Sequence, residues 1–320
     1  MLTHTPLPYE KRRLLPILER NEPVIQDHSA TKLYKTCPYK YFLRIVLGRS
    51  PKKSGLDAVF SWGSGYHKYR EVFEREFTEH KDIDKAHKVA AIAAISIFKA
   101  WPAGVPGKWS HYTMANFLKM LAVGFTAVKA EKAAGNIHVV ELPEQPFNLS
   151  LPDGTIIGGR YDQIIRWGGS LWVRDFKTTS KKKEYFTRGL NPNDQATRYI
   201  YALGKLSGER INGVYYDIIH TFTEGKGQEK IAKTEIYVFP TGRSAEQLKN
   251  WELDQMEYSK KLAYARENDV YEMNEEACAF CDYHQVCKLN SSYAQVNMLK
   301  TMYEHKPWNF EKVEQALVEG

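Results

Sequence analysis

Two aspartates and a lysine lie on the two arms of a segment whose pattern predicts a β-hairpin. Apolar runs flank Gly168-Gly169, the kind of two-residue loop that supplies the positive φ angles of a tight turn. In that register Asp162 stands opposite Asp175, and the two-residue period of a strand places Lys177 on the same face. Because like charges so placed repel, the pattern predicts a divalent cation between the two carboxylates.

Such a cation and lysine can do the chemistry that phosphodiester hydrolysis requires. Bound Mg²⁺ or Mn²⁺ lowers the pKa of a water and polarises a phosphoryl oxygen, while Lys177 positions the attacking water or neutralises developing charge. The alternative is an exposed hairpin whose aspartate and lysine form a cross-strand salt bridge. The position of Asp162 within an apolar strand predicted over 156–165 favours the metal site.

A helix follows the hairpin and carries two further polar residues on one face. The segment after Asn191-Pro192 begins with helix-start residues and continues with strong helix formers. Gln195 and Tyr199 lie four residues apart, which is one helical turn, so both side chains point the same way.

These elements together resemble the RecB-like branch of the PD-(D/E)XK nucleases, in which a Q-x-x-x-Y helix follows the D…(D/E)-x-K hairpin. The resemblance implies an α/β restriction-endonuclease-like core, with a mixed central sheet flanked by helices and a helical insertion. It implies one catalytic set: Asp162, Asp175, Lys177, Gln195 and Tyr199. His67 in Gly63-Ser-Gly-Tyr-His67 is similar to the family's early metal-binding histidine, although a lone helical histidine is more often structural. The implied Mg²⁺ or Mn²⁺ ligands are His67, Asp162 and Asp175. Related sequences often have a glutamate near Glu141, which we interpret as structural.

The four cysteines form an independent pattern. Three of them, Cys278, Cys281 and Cys287, form a C-x2-C-x5-C motif, and the fourth is Cys37. A secreted disulfide scaffold would be shorter and richer in cysteine, and no signal peptide is evident. We therefore expect reduced thiolates and a cytoplasmic protein. Thiolates at this spacing are typical metal ligands. Zinc is an alternative, although such zinc sites usually have two short knuckles, and buried cysteines without a ligand are another.

One early cysteine before a late C-x2-C-x5-C motif resembles the iron-sulfur RecB-like nucleases, which include AddB and the CRISPR-associated exonucleases. The resemblance implies a 4Fe-4S cluster held by Cys37, Cys278, Cys281 and Cys287. We expect the cluster to fasten the two ends of the nuclease domain together rather than to react, because hydrolysis transfers no electron.

Charge and composition are compatible with a nucleic-acid partner. The 320 residues are 43% hydrophobic and carry a net charge of +7, which favours a polyanionic ligand only weakly. Directly after the Asp-x-Lys strand, cations alternate with aromatic rings. The predicted DNA contacts are Lys181, Lys182, Lys183, Tyr185 and Arg188. The alternative is a solvated loop with incidental aromatics.

The rest of the chain suggests its organisation. We predict a leader over 1–28, a nuclease domain over 29–290 with a helical subdomain at 82–135, and a helical tail over 291–320. The strand pattern predicts a three-stranded meander ending at Lys177, a second hairpin over 213–239 and a long helix over 244–268. No apolar run is long enough for a membrane span, so we expect no membrane association.

The resemblance favours a Mg²⁺- or Mn²⁺-dependent deoxyribonuclease, and specifically an exonuclease on single-stranded DNA ends, acting in recombination, repair or replication. The alternatives are a non-catalytic DNA-binding or assembly subunit that retains the fold and an end-processing nuclease of CRISPR adaptation. Intact site residues in register argue against loss of catalysis. Because the sequence contains no phosphate-binding G-x-x-x-x-G-K-S/T loop, any unwinding requires a helicase or recombination partner.

Overall fold

The computed structural model describes residues 18–21, 25–52, 57–102, 110–141, 143–224 and 231–309. The chain divides into two compact units. The first unit is built from the segments 1–54, 148–158 and 249–310. The described residues of the second unit lie within the segments 55–147 and 159–248. The predicted leader lies mostly outside the described residues, as do the end of the predicted tail and the loop of the predicted second hairpin.

Helices and strands follow one another in blocks along the described chain, with α3 to α5 before β3 to β7. The helices are α1 (His28–Thr36), α2 (Pro38–Tyr41), α3 (Asp57–His80), α4 (Ile83–Ile97), α5 (Met114–Ala134), α6 (Lys183–Arg188), α7 (Asp194–Ser207), α8 (Ala245–Asn268), α9 (His284–Cys287) and α10 (Ser292–Met302). A π-helical turn over Phe42–Val46 follows α2. The strands are β1 (Ile25–Gln26), β2 (Arg49–Pro51), β3 (Ile137–Glu141), β4 (Gln145–Ser150), β5 (Ile156–Tyr161), β6 (Gln163–Trp167), β7 (Ser170–Thr179), β8 (Ile211–Glu224), β9 (Ile231–Thr241) and β10 (Tyr303–His305).

The central sheet of the second unit has the order β3-β6-β7-β8-β9 among the described strands. β7 and β8 run parallel, whereas the other neighbours are antiparallel. A parallel pair needs a crossover, and α7 lies between β7 and β8 in the chain. The mixed sheet flanked by helices is the predicted fold class, which is therefore confirmed.

The predicted hairpin register is also confirmed. β6 and β7 pair from Gln163↔Arg174 to Trp167↔Ser170. Gly168 and Gly169 form the turn with φ angles of 57° and 77°, which is the left-handed backbone that a two-residue turn of this type demands. The second hairpin is present as antiparallel β8 and β9.

One prediction about strands was wrong, and another needs an amendment. The apolar run 156–165 is two strands, β5 and β6, interrupted at Asp162. The strands of the predicted meander do lie side by side as antiparallel β3-β6-β7, but β4 and β5 come between β3 and β6 in the chain. β4 and β5 instead join β1 in another sheet. The interruption occurs where the Asp162 side chain, rather than a ladder bond, satisfies the backbone N–H of Phe176.

Helices α3, α4 and α5 pack in the second unit around an aromatic and alanine-rich core. The buried Ala86, Ala90 and Ala94 follow one another at four-residue spacing along α4, which lets neighbouring side chains approach closely. Phe176 of β7 and Ile219 of β8 belong to the same core, so the helices cover one face of the central sheet. Among the helices that the structure describes, none is long and apolar enough to cross a membrane.

A buried network of charges joins α3 and α5 to that face of the sheet. Arg174 donates two hydrogen bonds to Glu131, of 2.9 and 2.5 Å, and a third to Asp217. Arg70 lies 3.3 Å from Glu74 and 3.5 Å from Asp217. The Phe176 ring packs against both guanidinium groups, with its centroid 4.5 Å from Arg70 Cζ and 5.1 Å from Arg174 Cζ. The network therefore fixes the strand segment that carries the neighbouring Asp175.

This network predicts an acid-dependent loss of stability. Burial alone would raise the pKa of Glu131, but Arg174 lowers it to about 2 from an ordinary value of 4.5. A lowered pKa stabilises the fold above pH 4.5, and this contribution, about 3 kcal/mol, is lost as the pH falls towards 2. We expect Glu131→Gln to lower the free energy of unfolding at pH 7 and to differ less from the parent at pH 3, as measured by urea denaturation. The exposed Glu79→Gln is the control. An unchanged difference at both pH values would contradict the assignment.

Candidate active site

Asp162 lies at the bend between β5 and β6, one residue beyond the last paired position of the hairpin. Its Oδ2 accepts a 2.6 Å hydrogen bond from the Phe176 backbone N–H. The same oxygen lies 3.3 Å from Nδ1 of His67 on α3. Asp162 therefore stands next to the strand that carries Asp175, as its predicted register requires, but from a bend rather than from within a strand.

Asp175 and Lys177 project from the same face of β7. The Lys177 Nζ atom lies 2.5 Å from Asp175 Oδ2, and Asp175 is buried. Their parallel partners on β8 are Tyr216 and Ile218, which belong to the interior of the sheet. A lysine in this place has its ammonium group fixed by a carboxylate rather than free in solvent.

Helix α7 holds the lysine from the other side. The helix starts at the cap residue Asn193, whose side chain accepts from the Ala196 N–H. Gln195 Oε1 accepts from Lys177 Nζ at 3.3 Å, and Gln195 Nε2 donates to the Tyr199 hydroxyl at 3.0 Å. Tyr199 in turn donates to the Arg160 carbonyl of β5 at 2.6 Å. This chain of hydrogen bonds connects Lys177 to the strand that leads into Asp162.

Glu144 joins the site although the sequence analysis did not select it. The backbone N–H of Glu144 donates to the Asp162 carbonyl at 3.0 Å, and its carboxylate lies 2.8 Å from Arg160 Nε. Glu144 has a φ of 64°, a rare conformation for a residue other than glycine. The interpretation of Glu141 as structural agrees with its contact, because that carboxylate accepts from the Tyr161 hydroxyl. No local pattern distinguished Glu144, since its position depends on the bend at Asp162.

The pKa values of the site residues are shifted because charged groups lie close together and are largely shielded from water. Burial and the Asp162 carboxylate raise the pKa of Asp175, although Lys177 opposes the shift. Burial would also raise the pKa of Asp162, but the charges of His67 and Lys177 lower it. For His67, burial disfavours the charged form, yet Asp162 raises the pKa to about 9. Clustered groups with opposed pKa shifts are typical of functional sites.

The donor atoms of this cluster fit a divalent cation. Among the described residues, one nitrogen of His67 and one oxygen each of Glu144 and Asp162 lie within 4.8 Å of one another. Asp175 is not a member of that group, but its carboxylate lies close enough for Asp162 to shift its pKa. Carboxylate oxygens suit both Mg²⁺ and Mn²⁺, whereas an imidazole ligand favours Mn²⁺, because Mg²⁺ prefers oxygen ligands.

The four cysteines of the first unit surround one small cavity, which is lined by Cys37, Lys40, Met273, Asn274, Ala277, Cys278, Cys281, Tyr283 and Cys287. All four thiols are free. The Cys37 sulfur accepts from the backbone N–H groups of Lys40 and Asn274, both at 3.4 Å. Burial and the neighbouring sulfurs raise the pKa of Cys287 to about 12. A thiol with such a pKa becomes a thiolate only when something positive binds it.

The predicted DNA-contact residues lie on the surface of the second unit. Lys181 and Lys182 precede α6, and Lys183, Tyr185 and Arg188 belong to it. All five are exposed, and the Tyr185 ring is 71% exposed. The position fits a surface that contacts a ligand, and the assignment of these residues to DNA stays a prediction.

The sequence pattern of the PD-(D/E)XK nuclease superfamily matches residues 28–288, so the chain belongs to that superfamily. It is accordingly a member of a nuclease superfamily.

Solved structures include a similar protein from Eubacterium rectale, named as a candidate exonuclease. It is 15% identical, with 83% of this chain and 89% of that chain covered and a TM-score of 0.49. A likeness at this level supports no functional conclusion. A search of curated proteins found no significant match.

Proposed function

We propose that this protein is a metal-dependent deoxyribonuclease of the RecB-like branch, which degrades single-stranded DNA from an end. The observation that carries the proposal is the convergence of His67, Glu144 and Asp162 beside Asp175 and Lys177. A binding protein without catalysis does not require two buried carboxylates beside a half-buried lysine at one place in the fold. We retain residues 29–290 as the proposed nuclease domain.

The proposed roles follow from the contacts. His67, Glu144 and Asp162, joined by Asp175, would hold the divalent cation. Once bound there, Mg²⁺ or Mn²⁺ supplies a water of lowered pKa and polarises the phosphoryl group. The Phe176 N–H keeps the Asp162 carboxylate turned towards the site. Hydrolysis adds water across one phosphorus–oxygen ester bond and leaves a phosphate end and a hydroxyl end.

Lys177 is the proposed electrostatic catalyst. Asp175 raises its pKa although burial opposes the charge, so the ammonium group stays protonated at neutral pH. From this position it donates to a phosphoryl oxygen and stabilises the negative charge that develops there. Gln195 and Tyr199 are positioning residues, because they hold the lysine and the Arg160 carbonyl in one chain of hydrogen bonds.

We also propose that the four cysteines hold a 4Fe-4S cluster. The support is that all four thiols line one cavity and that two backbone N–H groups point at the Cys37 sulfur. The order of the thiols in the chain, one early cysteine followed by a late C-x2-C-x5-C motif, resembles that of the iron-sulfur RecB-like nucleases and favours a cluster over zinc.

Labelled single strands test the nuclease proposal directly. Anaerobically purified protein is incubated with Mn²⁺ and with one oligonucleotide labelled at its 5′ end or its 3′ end, and EDTA is the control. We expect cleavage that needs the metal and releases short products from one labelled end before the other. A circular single strand should resist. Absence of cleavage on all linear DNA substrates would reject the proposal, and cutting of the circle would reject an exonuclease.

We predict that Lys177→Met separates binding from cleavage. One ammonium group among many cations contributes little to overall DNA affinity, but this group is aimed at the reacting phosphate in the proposed mechanism. The cleavage rate should fall at least roughly a hundredfold, which corresponds to about 2.7 kcal/mol. The dissociation constant for single-stranded DNA in EDTA should change less than about threefold, as measured by fluorescence anisotropy.

The matched control is Lys181→Met, which removes an exposed lysine four residues further along the chain. It should lower affinity slightly and leave the rate at saturating DNA unchanged. Equal losses of affinity and rate in Lys177→Met would assign that lysine to general phosphate binding instead.

A further inference from the structure

A cavity of about 620 Å³ opens beyond the end of β7 in the second unit, apart from the residues assigned to catalysis. Its lining includes Lys182 and Lys183 at the start of α6, His220 and Phe222 of β8, and Glu235 of β9. This volume lies within the ~300–1,000 Å³ typical of pockets for small ligands. It is large enough for one nucleotide unit.

His220 presents an unused polar atom to this cavity. The residue is only 6% exposed, and its Nδ1 lies 2.9 Å from Glu235 Oε1. Because a carboxylate only accepts, the Nδ1 proton points at Glu235, and the other nitrogen of a neutral ring is then an acceptor. That atom, Nε2, has no hydrogen-bond partner among the described residues. A buried polar atom without a partner is costly, so its pairing with a ligand would be favourable.

Aromatic surface and a second imidazole accompany this acceptor. The rings of His220 and Phe222 stack with centroids 4.6 Å apart. His111 also lines the cavity, and its Nε2 is likewise buried without a partner in the described chain. Flat rings and unpaired ring nitrogens together suit a flat ligand with hydrogen-bonding groups at its edge.

The charges around the cavity favour a neutral ligand over a free anion. The cations Lys182 and Lys183 are matched by the carboxylates of Glu184 and Glu235. Burial lowers the pKa of His111, which keeps that ring neutral. A nucleobase is neutral, flat and edged with donors and acceptors. The exposed Lys182 and Lys183 can contact the phosphates on either side of the bound nucleobase.

The sheet places the cavity beside the catalytic strand. In the parallel register Asp175 pairs with Tyr216, Lys177 with Ile218 and Thr179 with His220. Because paired residues of parallel strands point to the same face, His220 shares the face of Asp175 and Lys177. His220 lies two residues beyond Ile218, the partner of Lys177 on the neighbouring strand. The spacing of residues and strands in a sheet therefore places the His220 backbone about 8 Å from the Lys177 backbone. Neighbouring nucleotides lie ~3.4 Å or more apart along a strand, so a base bound here lies within about three nucleotides of the cut.

We propose that this cavity binds one unpaired nucleobase of the substrate strand, close to the phosphate that is cleaved. The inference rests on the proposed nuclease function and deepens it. A base can enter a pocket only when it is unstacked and unpaired, which costs a few kcal/mol in a duplex and little in a single strand. The cavity therefore selects single-stranded DNA by a contact separate from the metal.

A scan with abasic nucleotides tests the proposal without cleavage. A set of 5′-fluorescein single strands, each lacking the base at one position, is titrated with the parent protein in EDTA. We expect one position within about three nucleotides of the mapped cut to weaken binding about tenfold, as loss of one stacked base would. In Phe222→Ala, and in His220→Ala, the same abasic site should have no further effect. His220→Gln retains a hydrogen-bonding group at this position. In this variant the abasic site should again weaken binding, but less than in the parent.

The control variant is Val238→Ala, which removes an exposed side chain from the opposite face of β9 and should leave the abasic profile unchanged. An equal effect of abasic sites at all positions would overturn the proposal. So would a single sensitive position that persists in both Phe222→Ala and His220→Ala. The cleavage assay tests the nuclease function separately. Absence of metal-dependent cleavage by the parent in that assay would reject the proposed nuclease function.

Discussion

Asp175→Asn is expected to fold like the parent and to cleave DNA at least roughly a hundredfold more slowly. The substitution keeps the shape of the side chain but removes a charge from the proposed cation site, where metal assistance contributes several kcal/mol and each ~1.4 kcal/mol is a factor of ten in rate. Burial and repulsion from Asp162 raise the pKa of Asp175 in the parent, so the ionised carboxylate is unfavourable there without a cation. The measurement is single-turnover cleavage in Mn²⁺, with circular dichroism as the test of folding.

The control for this variant is Asp254→Asn, which removes an exposed carboxylate from α8. It should cleave at the rate of the parent. A folded Asp175→Asn protein with nearly the parental rate would eliminate this carboxylate from the mechanism and, with it, the proposed arrangement of the site.

Cys37→Ser is expected to lose the iron-sulfur cluster and to melt at least about 5 °C below the parent. Cys37 has two roles that one substitution can separate. Its sulfur caps α2 by accepting from the Lys40 N–H, and we propose that it also binds iron. Serine is a good cap, so it replaces the first role, but it does not replace a thiolate ligand. Each kcal/mol of lost stability lowers the melting temperature of a chain of this size by roughly 2–4 °C.

The measurements are iron and sulfide content, absorbance near ~400 nm and thermal melting, all on anaerobically purified protein. Thr36→Ala, at the exposed neighbouring position, is the control. A Cys37→Ser protein with full iron content would leave only the capping role. Stoichiometric zinc without iron in the parent would replace the cluster by a zinc site and leave the four-cysteine centre in place.

The parts of the site that were predictable from the sequence are those fixed by local geometry. Gly168-Gly169 adopt the positive φ angles of a two-residue turn without strain, and this turn sets the register of Asp175 and Lys177 relative to Asp162. The four-residue spacing of Gln195 and Tyr199 placed both on one face of α7, where they bond to each other.

The remaining features depend on tertiary contacts that no local pattern encodes. Glu144 reaches the site because its backbone bonds to Asp162 across a bend, and that bend divides a run of apolar residues that had the pattern of one strand. The sequence pattern also did not predict the buried network of Arg70, Arg174 and Glu131. Charged residues in a helix or a strand normally face solvent, and only the packing of α3 and α5 on the sheet shows that these neutralise one another.

The order of the segments has a consequence for how the protein is made. The first unit takes its thiols from both sides of residues 55–248 in the chain: Cys37 leaves the ribosome before those residues, and its three partners leave the ribosome after them. The described residues of the hydrolytic site, from His67 to Tyr199, are all translated in between. A domain can fold while the chain is still being extended, so the hydrolytic groups can assemble before the four thiols can meet. Insertion of the proposed cofactor between those thiols can therefore occur only after the residues of the hydrolytic site have been translated.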